Sequence, residues 1–94
     1  MERLYLVCYD IVADSRRNRV AKLLLRYGLR VQKSVFECVL TPKQQEQLLR
    51  GLDRIIAPRE DQVRFYAISG RSRETALILG VQPDWSIDDD VFIV

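Results

Sequence analysis

Histidine is absent from this chain of 94 residues, which removes the imidazole general base, the Ser-His and Cys-His nucleophile pairs, and every zinc site built on imidazole. Any catalysis must therefore rest on carboxylates, a metal ion and water. Cysteine is scarce as well. The two present, Cys8 and Cys38, lie in separate apolar runs, too few and too far apart for a zinc knuckle or a disulfide framework, and they read as buried reduced thiols. Only four glycines and three prolines occur, with no linker, repeat or low-complexity segment, so residues 1–94 are expected to form one domain. No apolar run approaches the roughly 20 residues that span a bilayer, and the start Met1-Glu2-Arg3-Leu4 lacks a secretory pattern. These absences predict a cytoplasmic protein with no membrane contact.

A dominant charge of one sign is also missing. Fifteen Lys and Arg against 13 Asp and Glu leave a net charge of +2, so a nucleic-acid footprint has to come from local clustering and not from a global positive field. With 48% hydrophobic residues the chain builds one core, but at this size covering a sheet face with a partner adds stability, and an oligomer is expected.

The residues that are present organise themselves into alternating strands and two helices. Arg3–Asp10 is almost continuously apolar, as an interior strand covered on both faces would be. Asp14 or Ser15 is positioned to cap a helix running to residue 27, with Val20, Leu23, Leu24 and Tyr27 toward the core and Gly28 as its stop. Residues 30–40 have strand propensity, but no Asn-Gly or Gly pair decides between one strand and two around Lys33-Ser34. Thr41-Pro42-Lys43-Gln44 supplies a capping hydroxyl, a first-position proline and a capping-box glutamine, and Leu48, Leu52, Ile55 and Ile56 give that second helix its buried stripe up to Pro58. Gln62–Ile68 reads as a strand, residues 69–73 as a polar turn and residues 75–79 as a short strand closed by Gly80. The tail, 84–94, ends in an apolar strand, Val91-Phe92-Ile93-Val94, that needs a sheet edge to pair with.

This order predicts an α+β sandwich with both helices on one sheet face. Tyr9, Phe36, Phe65 and Tyr66 offer aromatic area for the other face, suited to a dimer contact or to base stacking; the dimer is favoured because a small two-sided sheet packs.

The chemistry concentrates at the end of the first strand. Asp10 closes an apolar run and is followed by Ser15-Arg16-Arg17-Asn18-Arg19. A carboxylate at a strand tip beside cations suits a divalent metal next to a phosphodiester, because hard oxygen ligands match Mg²⁺ and cations match phosphate. Against this, aspartate also serves as a turn residue. Asp14 is assigned to helix capping ahead of metal binding. Asp88-Asp89-Asp90 reads as a solvated charge run, because neighbours on an extended chain point to opposite sides. Arg16, Arg17 and Arg19 fall in a first helical turn, where cations oppose the helix dipole; a phosphate role is inferred for them, with solubility or ion pairing as the alternative.

Leu4-Tyr5-Leu6-Val7-Cys8-Tyr9-Asp10-Ile11, Asp14-Ser15-Arg16-Arg17-Asn18-Arg19-Val20 and Gly28-Leu29-Arg30-Val31-Gln32-Lys33-Ser34-Val35-Phe36-Glu37 together closely resemble the CRISPR-associated Cas-two family, the small dimeric partners of the spacer integrase. The resemblance implies a ferredoxin-like β-α-β-β-α-β fold with an extra C-terminal strand, which would split residues 30–40 in two and give residues 91–94 an edge. It implies that Asp10 from both protomers of a homodimer meets at a cleft, binds Mg²⁺ or Mn²⁺ and serves phosphodiester hydrolysis. It also places Arg17, Arg19, Arg30 and Phe36 near that cleft, with Arg71 and Arg73 on a looser turn.

Two functional readings follow. In the first, the chain is a metal-dependent endonuclease of CRISPR adaptation, cutting RNA or DNA with Asp10 and holding nucleic-acid backbone through Arg16, Arg17, Arg19, Arg30 and Phe36. In the second it is a non-catalytic DNA-binding scaffold for a CRISPR-associated integrase subunit. A stand-alone RNA-recognition domain is set aside because the Arg/Lys-Gly-Phe-Gly-Phe type of strand is missing.

Overall fold

Burial that alternates along the first strand from Leu6 to Asp10 sets up the architecture. In the computed structural model, which describes residues 1–68 and 77–80, the elements run β1 (Arg3–Asp10), α1 (Asp14–Leu25), β2 (Gly28–Gln32), β3 (Val35–Leu40), α2 (Pro42–Ile55) and β4 (Gln62–Ile68). The sheet order is β2-β3-β1-β4, with β1 antiparallel to both β3 and β4. This is the ferredoxin-like arrangement. Among the described residues no helix is long and apolar enough to cross a membrane.

Side chains alternate across a strand, so Tyr5, Val7 and Tyr9 of β1 meet Phe36 and Cys38 of β3, with Val20 and Leu24 of α1 and Leu48 and Leu52 of α2 completing a single core. Leu4, Leu6, Cys8 and Asp10 point the other way, alongside Val35, Glu37 and Val39 of β3 and Gln62, Arg64, Tyr66 and Ile68 of β4. Strand β1 is thus interior by order, but the two helices cover only one of its faces. The aromatic residues divide in the same way. Tyr9 and Phe36 are buried in the core, Phe65 packs against it, and Tyr66 alone of the four is exposed on the uncovered face.

Helix α2 begins as its local chemistry dictates. The Thr41 hydroxyl accepts from the Gln44 amide at 3.1 Å and the Gln44 side chain accepts from the Thr41 amide at 2.9 Å, two otherwise unsatisfied donors met reciprocally. Helix α1 differs from expectation. Its N-cap is Ala13, with no side-chain cap, and it ends at Leu25. Asp14 lies inside the first turn and pairs with Arg17, while Gly28 opens β2 and does not stop the helix.

Residues 30–40 form two strands. Lys33-Ser34 connects them and the register shifts between Arg30 and Gln32. Among the described residues no non-glycine residue has a positive φ, so this is not the mirror-image turn that Asn-Gly marks, and the irregularity takes up the mismatch in strand twist. Residues 77–79 carry no strand, and Leu77 and Leu79 are both exposed, so that portion of the strand expected over 75–79 does not form. The turn at 69–73, the remainder of that strand, Asp88-Asp89-Asp90 and the tail strand within 84–94 lie outside the described residues.

Candidate nucleic-acid interface and carboxylate site

Asp10 is the last residue of β1 and is exposed. Cys8 precedes it on the uncovered face, and Gln62 and Arg64 stand opposite these two on β4. Together with Tyr9 and Tyr66 they line an open cleft of about 270 Å³. Among the described residues no group of three potential metal ligands gathers anywhere, so one copy of the chain offers a single carboxylate at this cleft.

The segment following Asp10 is tied down from several directions. Asp61, in the loop between α2 and β4, accepts the Val12 amide on Oδ1 at 3.0 Å and the Ala57 amide on Oδ2 at 2.8 Å. Arg16 Nε donates to Asp61 Oδ2 at 2.7 Å, and Arg16 Nη2 reaches Glu60 at 3.1 Å. The Arg16 hydrogen bond, aided by the two amides, outweighs desolvation and holds the Asp61 carboxyl well below the usual carboxylate range. Arg17 works from the other side, donating through Nη2 to Ile11 O at 3.0 Å and to Val12 O at 3.2 Å. The buried Ile11 side chain anchors the same turn in the core. Asp10 therefore sits on a braced mount, as a site built for chemistry requires.

The sequence-predicted cations have separate tasks. Arg16 is committed to the Asp61 and Glu60 carboxylates, so its charge is neutralised within the chain and the phosphate role expected of it is not available. Arg17 carries the internal bonds just described and also lines a second cleft, of about 380 Å³, with Asn18, Arg30, Lys33 and Ser34. Arg19 is exposed on α1 and makes no ion pair among the described residues. Arg30 donates to Lys33 O through Nη2 at 2.8 Å, approaches the Tyr9 hydroxyl at 3.4 Å, and lies over Phe36 with 5.4 Å from Cζ to the ring centroid. Phe36 itself has no exposed surface and stacks on Tyr9 in the core. It has no face to present to a base; its ring supports Arg30 by a cation–π contact. The structure thus brings Arg17 and Arg30 together in one basic cleft, keeps Arg19 beside neither cleft's lining, and withdraws Arg16 and Phe36.

Asp61, Lys33 and Arg64 were not singled out from the sequence, and Tyr66 was singled out only as aromatic area for a dimer contact or base stacking. The period-two spacing Gln62-Arg64-Tyr66 placed three polar residues on one strand face, but only the register of β4 against β1 brings that face to Asp10.

Comparison with known proteins agrees with this layout. Residues 2–76 match the family described as CRISPR associated protein Cas2. A CRISPR-associated endoribonuclease Cas2 from Chloroflexus aurantiacus is 42% identical over 91 residues, covering 96% of this chain and 98% of that protein. The crystal structure of Streptococcus pyogenes Cas2 is similar with a TM-score of 0.73 and 36% identity, over 82% of this chain and 99% of that one. A chain in a partial Cas6-RT-Cas1–Cas2 complex is similar with a TM-score of 0.69 and 33% identity, over 86% and 88% of the two chains. A central β1 that ends on Asp10, a split second and third strand, and relatedness along nearly the whole length place this chain in the CRISPR-associated Cas2 family.

Proposed function

We propose that the chain works in CRISPR adaptation as a homodimeric, metal-dependent endonuclease that hydrolyses phosphodiester bonds in RNA or DNA, with Asp10 as its catalytic and metal-binding residue. The observation that carries this reading is the position of Asp10: exposed, on a braced strand tip, at the rim of the sheet face that the helices leave uncovered. Half-buried Leu6, Cys8, Val35, Val39 and Ile68 on that face suit packing against a second copy. Relatives named as endoribonucleases and endonucleases support the activity.

A single carboxylate fits Mg²⁺ or Mn²⁺ poorly, because such ions prefer six oxygens and release water reluctantly, whereas two facing carboxylates share one hydrated ion well. The Asp10 carboxylates of two copies would hold the ion, which would supply polarisation of a phosphoryl oxygen or an activated water. The chain's own cations supply binding: Arg17, Arg30 and Lys33 line the basic cleft and neutralise backbone phosphates, while Arg19, exposed on α1 outside that lining, adds a separate positive charge. Because neither Cys8 nor Cys38 forms a disulfide, the protein suits a reducing cytoplasm.

The test is metal-dependent cleavage of labelled RNA and duplex DNA by wild type and Asp10→Asn. Loss of cleavage by at least roughly 100-fold, with folding and dimerisation intact, is expected; cleavage by the variant at the wild-type rate overturns the assignment. Similarity to a chain of a Cas1–Cas2 complex favours a second role on the same fold, as the DNA-holding scaffold of a Cas1 integrase. That role requires the basic residues but not Asp10, so Asp10→Asn should retain integrase binding in co-purification.

A further inference from the structure

Arg64 stands apart from the other arginines whose guanidinium groups are engaged. Arg16, Arg17 and Arg50 each pair with a carboxylate, and Arg30 is drawn onto the Lys33 carbonyl. Arg64 makes no ion pair among the described residues. Its Nε donates to Gln62 Oε1 at 2.9 Å and its Nη1 to the Tyr66 hydroxyl at 3.1 Å. Both acceptors are neutral, and both come from its own strand at positions two residues away on the same face. They fix the plane of the guanidinium without cancelling its charge.

The location of this oriented cation matters. Arg64 is the register partner of Cys8, and Gln62 is the partner of Asp10, so Arg64 is the diagonal cross-strand neighbour of the Asp10 carboxylate on the uncovered face. All four residues, with Tyr66, line the same cleft. A phosphodiester approaching a carboxylate is repelled by it, and an arginine with its guanidinium already oriented and no ion-pair partner among the described residues is suited to hold the non-bridging oxygens against that repulsion. The distribution of charge also differs between the two clefts: the one lined by Arg17, Arg30 and Lys33 collects cations alone, whereas the Asp10 cleft sets one cation beside one carboxylate.

We propose that Arg64, held by Gln62 and Tyr66, is a phosphate-binding residue of the Asp10 cleft and grips the phosphodiester group that is to be cut. This rests on the nuclease reading above and adds the residue that positions the substrate within it. Arg64 acts on the substrate anion directly, while Gln62 and Tyr66 act through Arg64 as positioning residues.

The experiment uses the full chain, a fluorescein-labelled single-stranded RNA and a labelled DNA duplex, comparing wild type with Asp10→Asn, Arg64→Gln, Arg64→Lys and Tyr66→Phe. Binding is read without divalent metal as a function of salt, cleavage by separating KM from kcat, and oligomeric state by light scattering. Arg64→Gln should weaken binding roughly tenfold and lower the salt slope by about 0.7 to 0.9, the release of one counterion. Arg64→Lys should restore the salt slope but only part of the KM, because a lysine keeps charge and loses the fork. Tyr66→Phe should raise KM with the salt slope unchanged. Asp10→Asn should abolish cleavage and keep binding at least as tight as wild type. Wild-type binding and KM in Arg64→Gln overturns the Arg64 assignment while leaving the nuclease reading standing, and dissociation of the dimer by Arg64→Gln overturns it in favour of a structural contact. A wild-type protein that neither binds nor cuts overturns both.

Discussion

Asp61 and Arg16 meet across the gap between the α2–β4 loop and the start of α1, 2.7 Å apart from Oδ2 to Nε, and the side chain of Asp61 is completely withdrawn from solvent at that contact. The same carboxylate accepts two backbone amides, from Val12 and Ala57. It is therefore the shared acceptor for three segments: the turn after Asp10, the first turn of α1, and the exit of α2. Burial of a carboxylate is tolerated only when it is paired and hydrogen-bonded in this way. The arrangement explains why Arg16 occupies a helical turn whose dipole disfavours it.

Asp61→Asn should lower the melting temperature at neutral pH and should do so progressively less in acid. The sign follows from the depressed pKa. A group whose folded-state value lies below its unfolded value of about 3.9 stabilises the fold above that unfolded value and loses its contribution as pH falls toward the folded one. The gap between wild type and Asp61→Asn, followed by thermal melts from neutral pH downward, should therefore narrow below about pH 4. A gap that stays constant over that range would sink the ion-pair account. Because Asp61 also holds Val12, cleavage by the folded variant should fall through kcat more than through KM.

Two glycines should respond to alanine to very different degrees. A methyl group at Gly28 would lie inside van der Waals contact of the Glu37 carbonyl oxygen and 2.6 Å from Cys38 Sγ, at the first pair of the β2–β3 register, against paired backbone that has little room to yield. Gly28→Ala should cost about 1–3 kcal/mol or more by overpacking, read from urea unfolding. At Gly51 the added methyl meets the tip of the Leu23 side chain at 2.8 Å, which has rotamer freedom, and alanine improves helix propensity by about 1 kcal/mol. Gly51→Ala should be close to neutral. Equal destabilisation of the two variants would show that Leu23 is as confined as the β3 backbone.

Phe36 and Arg30 separate packing from binding. Phe36→Leu removes ring volume from a fully buried position and should cost on the order of 1–3 kcal/mol, yet the folded protein should bind RNA and duplex DNA with an unchanged salt slope, since no phosphate contact is lost. Arg30→Gln should do the reverse, with little change in stability and a salt slope smaller by about one counterion. Urea unfolding and salt-dependent binding, run on both variants, check the pair. A reduced salt slope in Phe36→Leu would mean that its ring does more than support Arg30.

What could be read from the chain alone follows the range of the interactions involved. Helix α2 was legible because Thr41, Pro42 and Gln44 complete its start within four residues, and β4 was legible as a bounded run. The β2–β3 connection was not, because Lys33-Ser34 lacks positive-φ chemistry and the compensating irregularity lies upstream at Arg30 and Gln32. At α1, Asp14 had the composition of a cap but was drawn to Arg17, its neighbour one turn on. Asp61 could not be recognised at all, since its partners Arg16 and Val12 are 45 and 49 positions away. Asp10 was evident as a strand-tip carboxylate, whereas Arg64 acquires meaning only through the β1–β4 register.

The uncovered sheet face supplies the last prediction. Leu6 lies at its centre on β1, half-buried, between Glu37 on β3 and Tyr66 on β4. In an isolated chain a lysine at this position reaches water and has Glu37 beside it, so Leu6→Lys should fold with an ordinary far-ultraviolet spectrum. Packed against a second copy, the same ammonium would be buried on the two-fold face at a cost far greater than the leucine it replaces. The variant should therefore weaken self-association at least roughly tenfold, measured by light scattering across a dilution series. If two Asp10 carboxylates must converge to hold one ion, metal-dependent cleavage should disappear with the dimer and return at protein concentrations that restore it. A monomeric Leu6→Lys protein that cleaves at the wild-type rate would show that one Asp10 suffices, and the two-carboxylate site would have to be abandoned.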